Sequence, residues 1–161
     1  MTHPIEVVRI TNSAQSEQAY LVRLEVFVRE QNVPLEFEID DLDTALTTTH
    51  VLALRTDISP PQPVGTARLL SDPEHPGQLH IGRVAVLSHA RGMDVGRALM
   101  SALEDIAAQS FTHDGYATIE LSAQEQAIGF YERIGYAKFD DRRYLDCDSW
   151  HRDLRKVLPA T

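Results

Sequence analysis

Two stretches carry residue types and spacings that could do chemistry. The first reads Arg91-Gly92-Met93-Asp94-Val95-Gly96-Arg97. It follows an apolar run containing Ile81, Val84, Ala85 and Val86, and it leads into Ala98, Leu99 and Met100. A strand, a basic-and-glycine turn and an amphipathic helix thus follow one another. The start of a helix presents N–H groups without intrahelical partners and the positive end of the helix dipole. Glycine lets a ligand approach such a backbone closely. The combination suits a pyrophosphate, with Arg91 and Arg97 adding charge. The competing reading is a plain strand-to-helix turn that Gly92 and Gly96 merely make. The second stretch reads Leu121-Ser122-Ala123-Gln124-Glu125-Gln126-Ala127-Ile128-Gly129-Phe130-Tyr131-Glu132-Arg133-Ile134-Gly135-Tyr136. Taken alone, Phe130 and Tyr131 read as core aromatics beside a helix that Gly135 caps.

Both stretches must be held by a framework, and the hydrophobic pattern supplies one. Residues 5–10 alternate weakly and predict an edge strand. Tyr20, Leu21, Leu24, Phe27 and Val28 recur at helical spacing. Residues 51–54 and 64–70 predict two strands, with Ser59-Pro60-Pro61-Gln62-Pro63 as the loop between them. A turn over residues 72–77 leads to a third strand over 79–86. Val95, Ala98, Leu99, Ala102, Leu103, Ile106 and Ala107 keep one stripe and predict the main helix. A strand over 117–121 and a short helix over 124–134 follow. The tail fits two patterns. Trp150, Leu154, Val157 and Leu158 suit a helix, while Trp150, Arg152, Leu154 and Lys156 suit an alternating strand. Without a regular βαβ alternation, the order of elements predicts a mixed α+β domain around one sheet, spanning residues 1–161 as a single unit.

Composition narrows the partners. The chain has 161 residues with 15 Lys and Arg against 24 Asp and Glu, a formal charge of −9. That balance disfavours nucleic acid and anionic membrane as partners. The sole cysteine, Cys147, excludes an intrachain disulfide and suggests a reducing, cytoplasmic setting. Met1-Thr2-His3-Pro4 starts no signal segment. The histidines show no His-X-X-X-His spacing and Cys147 has no partner, so no metal is expected. Cys147 reads as structural. Trp150 and the apolar tail read as core or as an interface, which leaves a homodimer open.

The strand, turn and helix around Arg91 resemble the acyl-CoA-binding motif of GNAT N-acetyltransferases. In that motif Arg or Gln, two residues, Gly, one residue and Gly or Ala follow one another. Arg91 and Gly96 sit at its ends, and Asp94 replaces the middle Gly. An Asp carboxylate near a pyrophosphate is repulsive unless it points away, although Asp tolerates left-handed backbone better than most residues. The second stretch is similar to the GNAT segment in which an amide precedes a Phe-Tyr-Glu-Arg helix. A third match joins Arg23, the run Val26-Phe27-Val28-Arg29-Glu30-Gln31-Asn32-Val33-Pro34, and Glu36, Glu38, Asp40, Asp43 and His50. It resembles the ElaA-like branch. The resemblance implies a mostly antiparallel sheet splayed at its centre and direct transfer from acetyl-CoA to an amine of a small molecule or peptide. It implies that Val84, Ala85, Val86, Arg91, Gly92, Met93, Asp94, Val95, Gly96, Arg97, Gln124 and Tyr131 hold the acyl donor. Phe27, Arg29, Glu36 and Arg83 would meet the acceptor.

On the same resemblance Tyr131 is the acid that protonates the departing thiolate. A phenol has a reference pKa near ~10 against about 8.5 for a thiol, so it stays protonated and can donate as charge builds on sulfur. Glu30 and Glu120 are candidates for the base, each with a structural alternative. Glu36, Glu38, Asp40, Asp41 and Asp43 read either as an acidic lip for an ammonium group or as a solvated loop. Arg83 and His80 either line the acceptor pocket or are structural. Two other functions compete: a degenerate acyl-CoA-binding sensor, favoured by Asp94 and disfavoured by Tyr131, and an acyl-homoserine-lactone synthase, over which the Arg91-to-Gly96 turn and the Phe130-Tyr131 helix favour the acetyltransferase.

Overall fold

The computed structural model describes residues 4–161; residues 1–3, read above as part of a start without a signal segment, lie outside it. The chain begins with β1 (Ile5–Arg9) and α1 (Ser13–Arg23). Asn12 caps α1 by accepting a hydrogen bond from the Gln15 amide at 2.9 Å. The helix then widens into a π-helical segment, Leu24–Glu30, and a short α2 (Leu35–Glu38) follows. Next come β2 (Thr48–Arg55), β3 (Gln62–Ser71) and β4 (Gln78–Val86), then α3 (Val95–Ser110) and β5 (Tyr116–Gln124). The chain closes with α4 (Ile128–Arg133), β6 (Ala137–Asp146) and β7 (Ser149–Pro159). Among the described residues no helix is long and apolar enough to cross a membrane.

The strands form one seven-stranded sheet in the order β1-β2-β3-β4-β5-β7-β6, and β1 is an edge strand as its weak alternation predicts. Every neighbouring pair is antiparallel except β4 and β5. The stripe predicted for α3 is real: Val95, Leu99, Leu103 and Ala107 are buried against the inward side chains of the sheet, among them Leu69, Ile81 and Ile119. Gly65 is what lets α3 come so close, since a Cβ there would stand 2.7 Å from a Val95 methyl. α1 covers the opposite face, where Val22 and Val26 pack on Ala85.

Two features of β4 matter most. Its ladder with β5 stops at the pair His80 and Glu120, after which the strands diverge and the sheet splits. Its ladder with β3 skips between Arg68–Gly82 and Thr66–Ala85, which leaves an extra residue in β4. Arg83 sits in this bulge at φ 53, a left-handed conformation that turns its side chain out of the regular alternation.

The structure corrects several sequence expectations. Pro63 belongs to β3 rather than to the loop, and it enters beside a bulge where the ladder is irregular. The segment over 124–134 starts as the end of β5, passes through a 3-10 turn, and becomes helical only at Ile128. The tail is a hairpin, not a helix. Cys147 and Asp148 form its two-residue turn with φ 47 and 63, the double positive φ of a type I′ turn. Trp150 is 40% exposed rather than core, and the Arg143 guanidinium lies 3.8 Å over its ring. Leu21, placed on the helical stripe, faces outward.

The acidic stretch is no open lip. Glu38 and Asp43 are buried with Arg23 and Arg68. Arg23 donates to Glu38 at 2.8 Å and to Asp43 at 2.6 Å. Arg68 reaches Asp43 at 2.9 Å and Asp40 at 2.8 Å. Arg83 donates to the backbone carbonyls of Phe37 and Glu38. The carboxylates thereby clamp α2 and the turn after it onto the sheet. Only Glu36 and Asp41 stay exposed.

Candidate functional site

The split between β4 and β5 opens into a cavity of about 550 Å³. One wall is β4, from His80 to Val84, and the other is the end of β5, from Leu121 to Gln124. Phe27, Gln31 and Phe37 cover it from the α1 side, and Tyr131 closes it from α4. Phe27, Glu38, His80, Arg83, Val84, Gln124 and Tyr131, all singled out from the sequence, thus meet here.

Tyr131 is positioned by its helix cap. Gly135, at φ 101, lets the Tyr136 amide bond the Tyr131 carbonyl at 3.0 Å and its own amide bond Glu132 at 3.1 Å. Edge-on contacts with Phe130 and Tyr136, at 5.0 and 6.0 Å between ring centres, fix the ring. Burial alone pushes the phenol pKa up to about 12, so the hydroxyl keeps its proton throughout the neutral range. Gln124 is held at the rim by a 2.7 Å bond from its amide to Gln31.

The glycine turn lies at the start of α3. Asp94 precedes the helix in the left-handed region at φ 59 and makes no side-chain cap. The amides of Val95, Gly96 and Arg97 therefore begin the helix without a capping side chain. Gly92, at φ 89, has nothing within 4 Å of where a Cβ would stand. These are fitting features for a phosphate-bearing ligand: open backbone, uncapped N–H groups and an exposed Arg97. Gly96 is different. A Cβ there would stand 3.2 Å from the Phe130 ring, so its bareness serves the packing of α3 against α4. Arg91 donates through Nη2 to the Val86 carbonyl at 3.0 Å and to Glu30 at 2.8 Å. Ala85 is buried against α1, and Met93 bonds back to the Ala90 carbonyl.

Other candidates lie elsewhere. Glu30 is tied to Arg91, and Glu120 is tied to Arg155 at 2.6 Å in a second, more open groove. Arg29 points outward to Glu25, and Glu36 is exposed outside the cavity. The cavity also takes in Ser122, Cys147 and His151, which the sequence did not single out as its lining. Ser122 donates to the Tyr144 hydroxyl, which donates to Asp153 at 2.5 Å. The alternation along β5 that places Ser122 beside Gln124 on one face was the available signal. Among the described residues no group of His, Cys, Asp and Glu is arranged to hold a metal.

Comparison with known proteins adds to this geometry. The profile of the Acetyltransferase (GNAT) family matches residues 15–136. The chain is 36% identical over 146 residues to the uncharacterized N-acetyltransferase YjcF of Bacillus subtilis, covering 90% of this chain and 94% of the relative. The crystal structure of an acyl-CoA N-acyltransferase from Pseudomonas aeruginosa is 31% identical, with a TM-score of 0.78 over 94% of this chain and 99% of that one. The crystal structure of Escherichia coli ElaA is 29% identical, with the same TM-score of 0.78, over 94% and 99% of the two chains.

Proposed function

The chain belongs to the GNAT family of acetyltransferases, and from that premise we propose that it moves an acetyl group from acetyl-CoA directly to an amine of a small molecule or peptide. The observation that carries the proposal is Tyr131, a buried phenol on the wall of the cavity where the sheet splits. We assign the whole of residues 1–161 to one such domain.

Acetyl-CoA would supply the activated acetyl thioester. The turn from Arg91 to Arg97 offers its uncapped amides and its guanidinium groups to the pyrophosphate. Val84 lines the cavity on β4, which Ala85 and Val86 carry on toward the glycine turn, and Gln124 offers its amide from β5. Tyr131 keeps its proton until charge develops on sulfur and then donates to it. Arg83 and Phe27, which line the cavity, are assigned to the acceptor. A phenol held in that place favours transfer over mere sensing of acyl-CoA.

Release of free thiol from acetyl-CoA, followed with a panel of primary amines, tests the proposal. Amine-dependent release with formation of the N-acetyl product is expected. Absence of any release, in protein whose unfolding temperature acetyl-CoA also fails to raise, would overturn it.

A further inference from the structure

The split cavity and the second groove share one lining residue, His80. It is the last residue of β4 that still pairs with β5, so it stands where the sheet begins to open. The groove runs beside it past Gln78, Thr118 and Glu120. Resting on the transfer reading above, we propose that His80 is the base that removes the proton from the acceptor amine. The imidazole thus borders the cavity in which acyl donor and amine would meet and, through the groove, an outlet to solvent for the proton it takes up.

Three observations support the assignment. The carboxylates that could compete are engaged, Glu30 with Arg91 and Glu120 with Arg155. The neighbour on the same face is Gly82, and even an added Cβ there would stand 3.8 Å from the ring, so that side of the ring is left open. The residue keeps an exposed edge at the two openings, yet desolvation by the protein around the ring, against the pull of Asp153 and Glu120 and with the help of Arg68 and Arg83, holds the imidazole pKa below its usual value of 6.5. The ring is therefore neutral at neutral pH and has a lone pair to offer.

The step balances as follows. His80 takes one proton from the ammonium group. The freed nitrogen lone pair forms the C–N bond with the thioester carbonyl carbon, and the C–S bond breaks. Tyr131 gives its proton to the departing sulfur. The second proton on nitrogen returns through solvent to the Tyr131 oxygen, and His80 releases its own to bulk water. One proton is liberated for each amide formed.

The test uses acetyl-CoA with spermidine, tyramine, Nα-blocked lysine and glycinamide as probes. Rates of thiol release are followed across pH for the parent, His80→Gln and His80→Ala. Acetyl-CoA affinity and unfolding temperature are measured for each. Both variants should lose roughly 10²- to 10⁴-fold in kcat with little change in acetyl-CoA affinity. They should also lose the acidic limb of the profile that His80 protonation imposes on the parent, and added imidazole should restore part of the rate to His80→Ala. Parental rates and profiles in both variants, with chemistry limiting, would overturn the inference alone. So would a rate loss matched by equal loss of acetyl-CoA affinity, which is the mark of a structural role. No transfer by the parent to any of the amines would overturn the transfer reading, and this inference with it.

Discussion

At the scale of the residue, Tyr131 separates packing from chemistry. Its ring is fixed by Phe130 and Tyr136, and Tyr131→Phe leaves that ring in place. If the hydroxyl serves only the core, the substitution costs little. If it protonates the sulfur, kcat should fall by roughly 10²- to 10⁴-fold while acetyl-CoA affinity changes far less, because the bond strengthens only as charge develops. Steady-state kinetics with a separate binding measurement distinguishes the two, and near-parental turnover would move the acid role elsewhere. Gly96 is the complementary case. The motif alone suggests that Gly96→Val blocks a ligand. The Phe130 ring at 3.2 Å from its would-be Cβ says that the first collision is internal. The expected result is a loss of about 1–3 kcal/mol in stability. A fall in acetyl-CoA affinity should accompany it, because Phe130 packs on Tyr131. Unchanged thermal unfolding in the variant would show that α4 yields freely.

At the scale of the element, the clamp on α2 shows what ordered arginines and carboxylates do for a short helix. Asp43 and Arg23 have side chains 1% and 3% exposed, so removing one charge strands the other. Asp43→Asn should cost about 3–5 kcal/mol. The Arg68 guanidinium, against a smaller penalty from burial, holds the Asp40 carboxyl below its usual 3.8. At Asp43 burial opposes ionisation, yet the donors from Arg23, the Asp40 amide and Arg68 outweigh it, and its pKa too is lowered. Groups with depressed pKa values stabilise the fold above the ordinary value, and that share is lost as pH falls through the depressed one. Glu38 has the opposite sign: burial, against Arg23 and Arg83, raises its pKa above 4.5, so its share fades as pH rises through the raised value. Thermal unfolding followed over roughly pH 2 to 6 should show stability declining below the Asp range, with a shallower decline in Asp43→Asn. An identical slope in both proteins would remove Asp43 from the account. Much of this framework is legible in the sequence. The stripe of α3, the proline-rich loop and the Gly135 cap all rest on local rules of spacing and backbone freedom. What is hidden depends on distant partners. Glu38 and Asp43 look like surface acids because Arg23 and Arg68 are remote in sequence. The β6–β7 turn is masked because Cys147 is an unusual residue for a positive φ. Nothing in Leu24–Glu30 marks its π-helical widening.

At the scale of the whole molecule, the sheet is two blocks, β1–β4 and β5–β7, joined by a parallel ladder of three residue pairs and covered by helices. The site is legible as two motifs 27 residues apart at Gly96 and Ala123, but their meeting at the split is a property of strand order, which no local pattern states. His80 shows the same limit. The sequence leaves it as either an acceptor-pocket or a structural residue of a strand, and only the end of the ladder sets it beside both the cavity and the groove. That short ladder has a further consequence. Beyond His80 and Glu120 the strands have inner rims, with peptide groups that turn toward a gap instead of a neighbouring strand. Such groups must bond water or something that lies along them. An extended pantetheine arm in the gap would act as a temporary eighth strand. Deuterium exchange should then divide the backbone of β4 beyond residue 81 by direction. Amides turned to β3 should be slow at all times. Those turned to the gap should be fast in the free protein and slow once acetyl-CoA is added, and equal protection in both conditions would mean that no ligand zips the sheet closed.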